Sequence, residues 1–178
     1  MIFLDLETTG LLKPFSNDLQ NQPEIIEICA IKMDSSFEEI DCLEDLLKPS
    51  IPITEIITKI NGVSNEMVEN KKTFPLMYDK LVDFFLGEEI VVAHNCSFDM
   101  GVLQCELTRI AKEFNFPWPP KRVCTVEKTF HIKNRRLKLQ ELYEMATGKS
   151  EIINAHRARS DVEALIECYK WLVNCHAI

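Results

Sequence analysis

Asp5 and Glu7 stand two residues apart in F-L-D-L-E-T-T-G, Phe3 to Gly10. Side chains on an extended strand alternate between faces, so residues at this spacing point the same way. Two carboxylates on one face, closing an otherwise apolar strand, repel each other and lose hydration unless a cation or a proton compensates. Hard oxygen ligands of this kind suit magnesium or manganese. Taken alone, the pair is equally well read as two solvated charges past a strand end. Asp99 closes A-H-N-C-S-F-D, Ala93 to Asp99, in the first turn of a helix after a second apolar strand. An acid there complements the helix N-terminus. It also lies near the carboxyl end of the strand, the side on which open α/β sheets bind ligands, so Asp5, Glu7 and Asp99 can converge. The third segment is H-R-A-R-S-D, His156 to Asp161. Asp161 is four residues before Leu165 and so borders the inward stripe of its helix. His156, five residues earlier, falls in the loop or first turn, where it is free to reach a water. Four carboxylates and one histidine fit a single chemistry.

Positioning these groups requires a sheet. Met1 to Leu6 and Ile90 to Ala93 are nearly continuous apolar runs, as expected of parallel strands covered on both faces. Glu24 to Met33 and Glu38 to Lys48, separated by Asp34-Ser35-Ser36, suit an antiparallel hairpin beside the first strand. The polar loop Gly10 to Pro23, with Pro14, Ser16, Asn17, Asp18 and Asn21, is expected to border a substrate cleft. Ser64 opens a short helix, and Phe74 to Leu86 carries Leu81, Phe84 and Phe85 at core-facing spacing. Ser97 is the expected N-cap of a helix whose Leu103, Leu107, Ile110 and Phe114 form a stripe. Phe116 to Pro120 breaks it, Arg122 to Thr125 is the last predicted strand, and helices follow near Leu139 to Ala146 and Ala158 to Val173. No repeat, low-complexity tract or linker interrupts the chain, so one domain over residues 1–178 is expected.

A chain of 178 residues, 46% hydrophobic, can bury one substantial core. Its seven cysteines are odd in number and lack C-x-x-C spacing, so they read as reduced thiols. A zinc site from Cys124, His131 or His176 matches no known spacing and is not expected. Asp5 and Glu7 interrupt the apolar start, which excludes a signal-peptide core and a membrane span. A soluble, intracellular, cytoplasmic protein is expected. The net charge of −8 opposes a polyanionic partner, yet two divalent ions would halve it to −4 and place positive charge where a phosphate sits. Lys133, Arg135, Arg136 and Lys138 form the densest basic cluster, and Arg157 and Arg159 lie near His156. All six are expected to track a substrate backbone, against the alternative of a solvated basic face.

These three motifs resemble those of the DEDDh 3′-5′ exonucleases, RNase H-like nucleases that include the proofreading-subunit group of DNA polymerase III. I-I-E-I at Ile25 to Ile28, I-N-G-V-S at Ile60 to Ser64 and L-K-L-Q-E-L at Leu137 to Leu142 extend the likeness over nearly the whole chain. The resemblance implies an α/β, RNase H-like three-layer fold, with a mixed five-stranded sheet flanked by helices. It implies two divalent metal ions, Mg2+ or Mn2+: Asp5 bridging both, Glu7 and Asp161 completing one site, and Asp99 supporting the other. His156 would be the general base. The backbone around Thr8 and Thr9 would receive the terminal nucleotide, and Asn95 and Phe98 would shape its pocket. A histidine five residues before Asp161 marks the DEDDh branch, whereas a sister branch has tyrosine four residues before. The long Gly10 to Pro23 loop, and Asn61 where many relatives have histidine, depart from the pattern.

The implied reaction releases nucleoside 5′-monophosphates from single-stranded or 3′-frayed nucleic acid, DNA favoured, with a DNA polymerase as a candidate partner. RNA trimming is the alternative, and the active site does not choose between them. The sequence ends at Ile178 just after the last predicted helix, leaving no expected tail to tether a polymerase. A haloacid-dehalogenase-type phosphatase, with Asp5 as nucleophile, leaves the histidine motif unexplained. A catalytically silent nucleic-acid-binding domain is the rival of another class.

Overall fold

The computed structural model describes residues 1–13, 16 and 18–175; Pro14 and Asn17 of the predicted loop, and His176, lie outside them. Strand β1 (Ile2–Thr8) runs antiparallel to β2 (Ile25–Met33), which pairs antiparallel with β3 (Glu39–Leu46). On its other side β1 runs parallel to β4 (Ile90–Ala93), and β4 parallel to β5 (Lys121–Cys124), giving the order β3-β2-β1-β4-β5. The expected mixed five-stranded sheet is present.

Alternation along β1 builds two cores. Ile2, Leu4 and Leu6 face α3 (Phe74–Phe85) and α4 (Cys96–Arg109), packing on Met77, Leu81, Phe85, Leu103 and Leu107. Phe3, with Cys29 and Ile31 of β2, faces α7 (Ala158–Asn174) and packs on Val162, Leu165 and Tyr169. Covered on both sides, β2 is buried at eight of nine positions, while β3 at the edge is buried at one of eight. Helix α6 (Leu139–Thr147) packs outside α7 through Leu142, Cys168 and Leu172.

Several helix boundaries differ from those expected. Helix α4 starts at Cys96, not after Ser97, because Asn95 adopts a left-handed backbone (φ 73°) and turns the chain directly off β4. It ends at Arg109; Ala111 takes φ 55°, and Phe114 is 94% exposed instead of lying on the stripe. Helices α1 (Glu55–Asn61) and α5 (Thr125–Lys133) were not expected, and a short α2 (Asn65–Val68) follows Ser64 as predicted. All seven cysteines are free. Among the described residues, no helix is long and apolar enough to cross a membrane.

Candidate active site

The period of two that puts Phe3 on the α7 face carries Asp5 and Glu7 to that face at the strand's carboxyl end. Asp161, in the first turn of α7, meets them there. Asp99 arrives from the opposite layer: the tight Asn95 turn sets it in the first turn of α4, where its carboxylate accepts from the Leu6 backbone. Two helices on two faces of the sheet thus deliver acids to one strand end. Glu7, His156 and Asp161 offer ligand atoms all within 4.8 Å of one another. Asp5, His156 and Asp161 line a cleft of about 530 Å³ together with His94, Lys138 and Gln140.

The acids are held in an environment that resists their charge. Burial, then repulsion from Asp99, Asp161 and Glu7, holds Asp5 well above the usual carboxylate range. Burial pushes Glu7 up to about 8, although Asn61 Nδ2 donates to its Oε2 at 3.2 Å. Asp161 is raised by burial to about 6, against the opposing pull of His156. Asp99, only 3% exposed, is raised by burial despite its backbone hydrogen bonds. Such groups favour a proton or a cation as partner, and a set of carboxylates within reach of one another is the donor chemistry of a hard divalent ion. The residues present therefore fit the divalent metals implied by the motifs.

His156 is exposed on a left-handed backbone (φ 65°), and its N–H donates to Asp161 Oδ2 at 3.1 Å. The next residue anchors this loop. Arg157 places Nε and Nη2 on Glu27 at 2.6–3.1 Å, and the Ala158 N–H donates to the same carboxylate. Glu27 is 2% exposed and sits directly opposite Glu7 in the β1–β2 ladder. Its place in the I-I-E-I segment was the available sequence signal.

The expected nucleotide-binding residues do not line the cleft. Thr8 Oγ1 donates to Gly10 O, and Thr9 Oγ1 accepts from Glu24 N, so both hydroxyls serve the local turn. Phe98 packs against the core, and Asn95 Oδ1 accepts from Arg136. His94, which sequence reasoning passed over inside A-H-N-C-S-F-D, lines the cleft instead. Burial lowers its pKa to about 4, so it stays neutral, its Nε2 donating to Leu137 O and its Nδ1 accepting from Thr125 Oγ1. Of the six basic residues expected to track substrate, Arg157 is bound to Glu27, Arg159 to Glu163, and Arg135 to Glu141. Buried Glu27 holds the first, exposed Glu163, Glu39 and Glu44 surround the second, and the capping carboxylate of α6 holds the third. The loop after β1 is likewise tied down: Arg109 Nη2 donates to the carbonyls of Leu19, Gln22 and Pro23.

A second cluster, Cys29, Cys42 and Glu44, also places its donor atoms within 4.8 Å of one another. Burial raises both thiols, and Arg159 Nη1 already donates to Cys42 Sγ at 3.0 Å. This cluster has its own cation and does not resemble an ion site.

A family model for exonucleases matches residues 2–169, and the chain belongs to that exonuclease family. It is 31% identical over 173 residues to a PolC-type DNA polymerase III of Caldanaerobacter subterraneus subsp. tengcongensis, covering 94% of this chain. It spans only 11% of that polymerase's length. Among solved structures it is similar to E. coli exonuclease I in complex with a dT13 oligonucleotide, with TM-score 0.73 and 20% identity, covering 96% of this chain and 40% of the other. It is also similar to the nuclease domain of 3′hExo, a DEDDh family member bound to rAMP, with TM-score 0.72 and 16% identity, covering 98% and 91%.

Proposed function

We propose that the chain is a single catalytic domain that removes nucleoside 5′-monophosphates from the 3′ end of single-stranded or frayed DNA. The observation that carries this reading is the meeting of Asp5, Glu7, Asp99 and Asp161 at one strand end with His156 beside them. The four acids would hold two divalent ions, magnesium or manganese, with Asp5 shared. When bound, the ions supply an activated water and neutralise charge on the leaving oxygen. His156 accepts the water's proton on its ring, and its exposed loop gives it the reach to do so. Asp161 orients that loop through the His156 N–H. A general base contributes about 10²- to 10⁴-fold. The backbone near Thr8 and Thr9 holds the terminal nucleotide, and Asn95 and Phe98 act from behind the pocket, Asn95 by fixing the turn into α4.

DNA is favoured by the likeness to a DNA polymerase over almost the whole of this chain, which also supports work beside a polymerase in the reducing cytoplasm. The second reading, RNA trimming, is favoured by the likeness to a nuclease domain bound to rAMP. The test incubates the protein with matched single-stranded DNA and RNA in magnesium or manganese, with chelator and Asp5→Ala controls. Metal-dependent shortening of DNA from the 3′ end is expected. Preference for RNA selects the second reading, and no shortening of either leaves a silent binding domain.

A further inference from the structure

The most basic stretch of the chain lies beside the acidic cleft. Residues 121–138 contain seven Lys or Arg and one acid, a net +6, so the other 160 residues carry −14. The stretch begins at edge strand β5, continues through α5, and ends in the 134–138 connection, where Lys138 lines the cleft. Lys133 and Arg135 are paired with Glu141, and Arg122 lies over the Trp118 ring. Among the described residues, Arg136 and Lys138 meet no carboxylate at salt-bridge distance.

Arg136 also borders a groove of about 470 Å³, with Ser97, Val126, Glu127 and Phe130. Phe130 projects from α5 with its side chain half exposed, and Arg136 joins the groove to the turn at Asn95. A lone exposed phenylalanine is ordinary. A ring and an unpaired guanidinium in one groove, continuous with a cationic path to an acidic cleft, is the pairing that single-stranded nucleic acid uses: base on ring, phosphate on cation. Glu127, which lines the groove three residues before Phe130 on α5, disfavours a phosphate beside it.

We propose that this groove is a second nucleotide subsite, which stacks an unpaired base upstream of the 3′-terminal nucleotide on Phe130 and holds its phosphate on Arg136. This rests on the single-stranded substrate proposed above. It makes the enzyme read strand length and flexibility: a duplexed base has no free face to stack, so frayed or single-stranded ends are selected.

The test measures equilibrium binding of a fluorescent oligothymidylate to the full chain, with calcium replacing magnesium to suppress turnover. Phe130→Ala is expected to weaken Kd by roughly five- to a hundredfold. Arg136→Gln is expected to reduce the slope of log Kd against log salt by about 0.7. A series of oligonucleotides with one abasic position is expected to reveal a single upstream position whose base is needed by the native protein and is irrelevant to Phe130→Ala. Phe130→Ala affinity within about twofold of native, or an abasic penalty that persists in the variant, would overturn the proposal. Because affinity is read without turnover, failure of the exonuclease reading appears separately, as lack of strand shortening in magnesium.

Discussion

Glu7 and Glu27 face one another across the β1–β2 ladder, yet the protein treats them in opposite ways. Glu27 is gripped by the Arg157 guanidinium and the Ala158 N–H, a complete set of partners supplied by the chain. Glu7 has the Asn61 amide and, around it, Asp161 and the rest of the acids. The same holds for Glu106, which is paired with Arg109 and the Ile25 N–H, against Asp5 and Asp99, whose charged neighbours are mostly acids. Where a carboxylate holds the fold together, the sequence provides its counter-charge. Where a carboxylate is proposed to do chemistry, its counter-charge is left to solution, which fits the divalent ions proposed for the site.

The sharpest way to break this contrast is Asp5→Ala, which removes the acid shared by both proposed ions. Turnover is expected to fall by roughly 10⁴-fold or more, while the metal-free protein becomes no less stable, because a buried, repelled carboxylate has been deleted. His156→Ala should cost less, about 10²- to 10⁴-fold in kcat, with residual activity that rises with pH as hydroxide replaces the base. Equal kinetics for these two variants would contradict the division of roles.

Arg157→Ala sharpens the other side of the comparison. It leaves Glu27 buried without its counter-ion, a change that costs about 3–5 kcal/mol for a fully buried pair. With the Arg157 side chain 37% accessible, solvent screening reduces this to about 2 kcal/mol. Chemical denaturation would read this, and adding Glu27→Gln should restore part of the loss, because the unpaired charge is then gone.

Much of this arrangement was legible in the sequence. The D-x-E pair on β1 and the apolar run of β4 pointed to the candidate catalytic face and the parallel pairing, since strand alternation needs no tertiary information. Helix α5 was invisible because only Thr125, Val126 and Thr129 turn inward, leaving no apolar stripe. Helix α1 was hidden by Ile56 and Ile60, β-branched residues that face solvent. The Ser97 cap was misplaced because a left-handed Asn95 leaves no local pattern, and the pairing of Arg157 with Glu27 was hidden because the two lie 130 residues apart. Long-range pairing of charges is the part that composition and spacing do not encode.

The central claim is tested most directly by thermal unfolding across pH, with and without manganese. Glu7 near 8 and Asp161 near 6, with Asp5 also raised, mean that the folded, metal-free protein binds more protons than the unfolded chain above the ordinary carboxylate range. Stability then falls with rising pH through that window, until the raised groups have ionised. The account predicts a Tm in chelator that declines from weakly acidic pH to about 8, and a manganese-induced rise that grows over the same interval and is lost in Asp5→Ala. A chelated Tm independent of pH, or an equal manganese effect on Asp5→Ala, would contradict it.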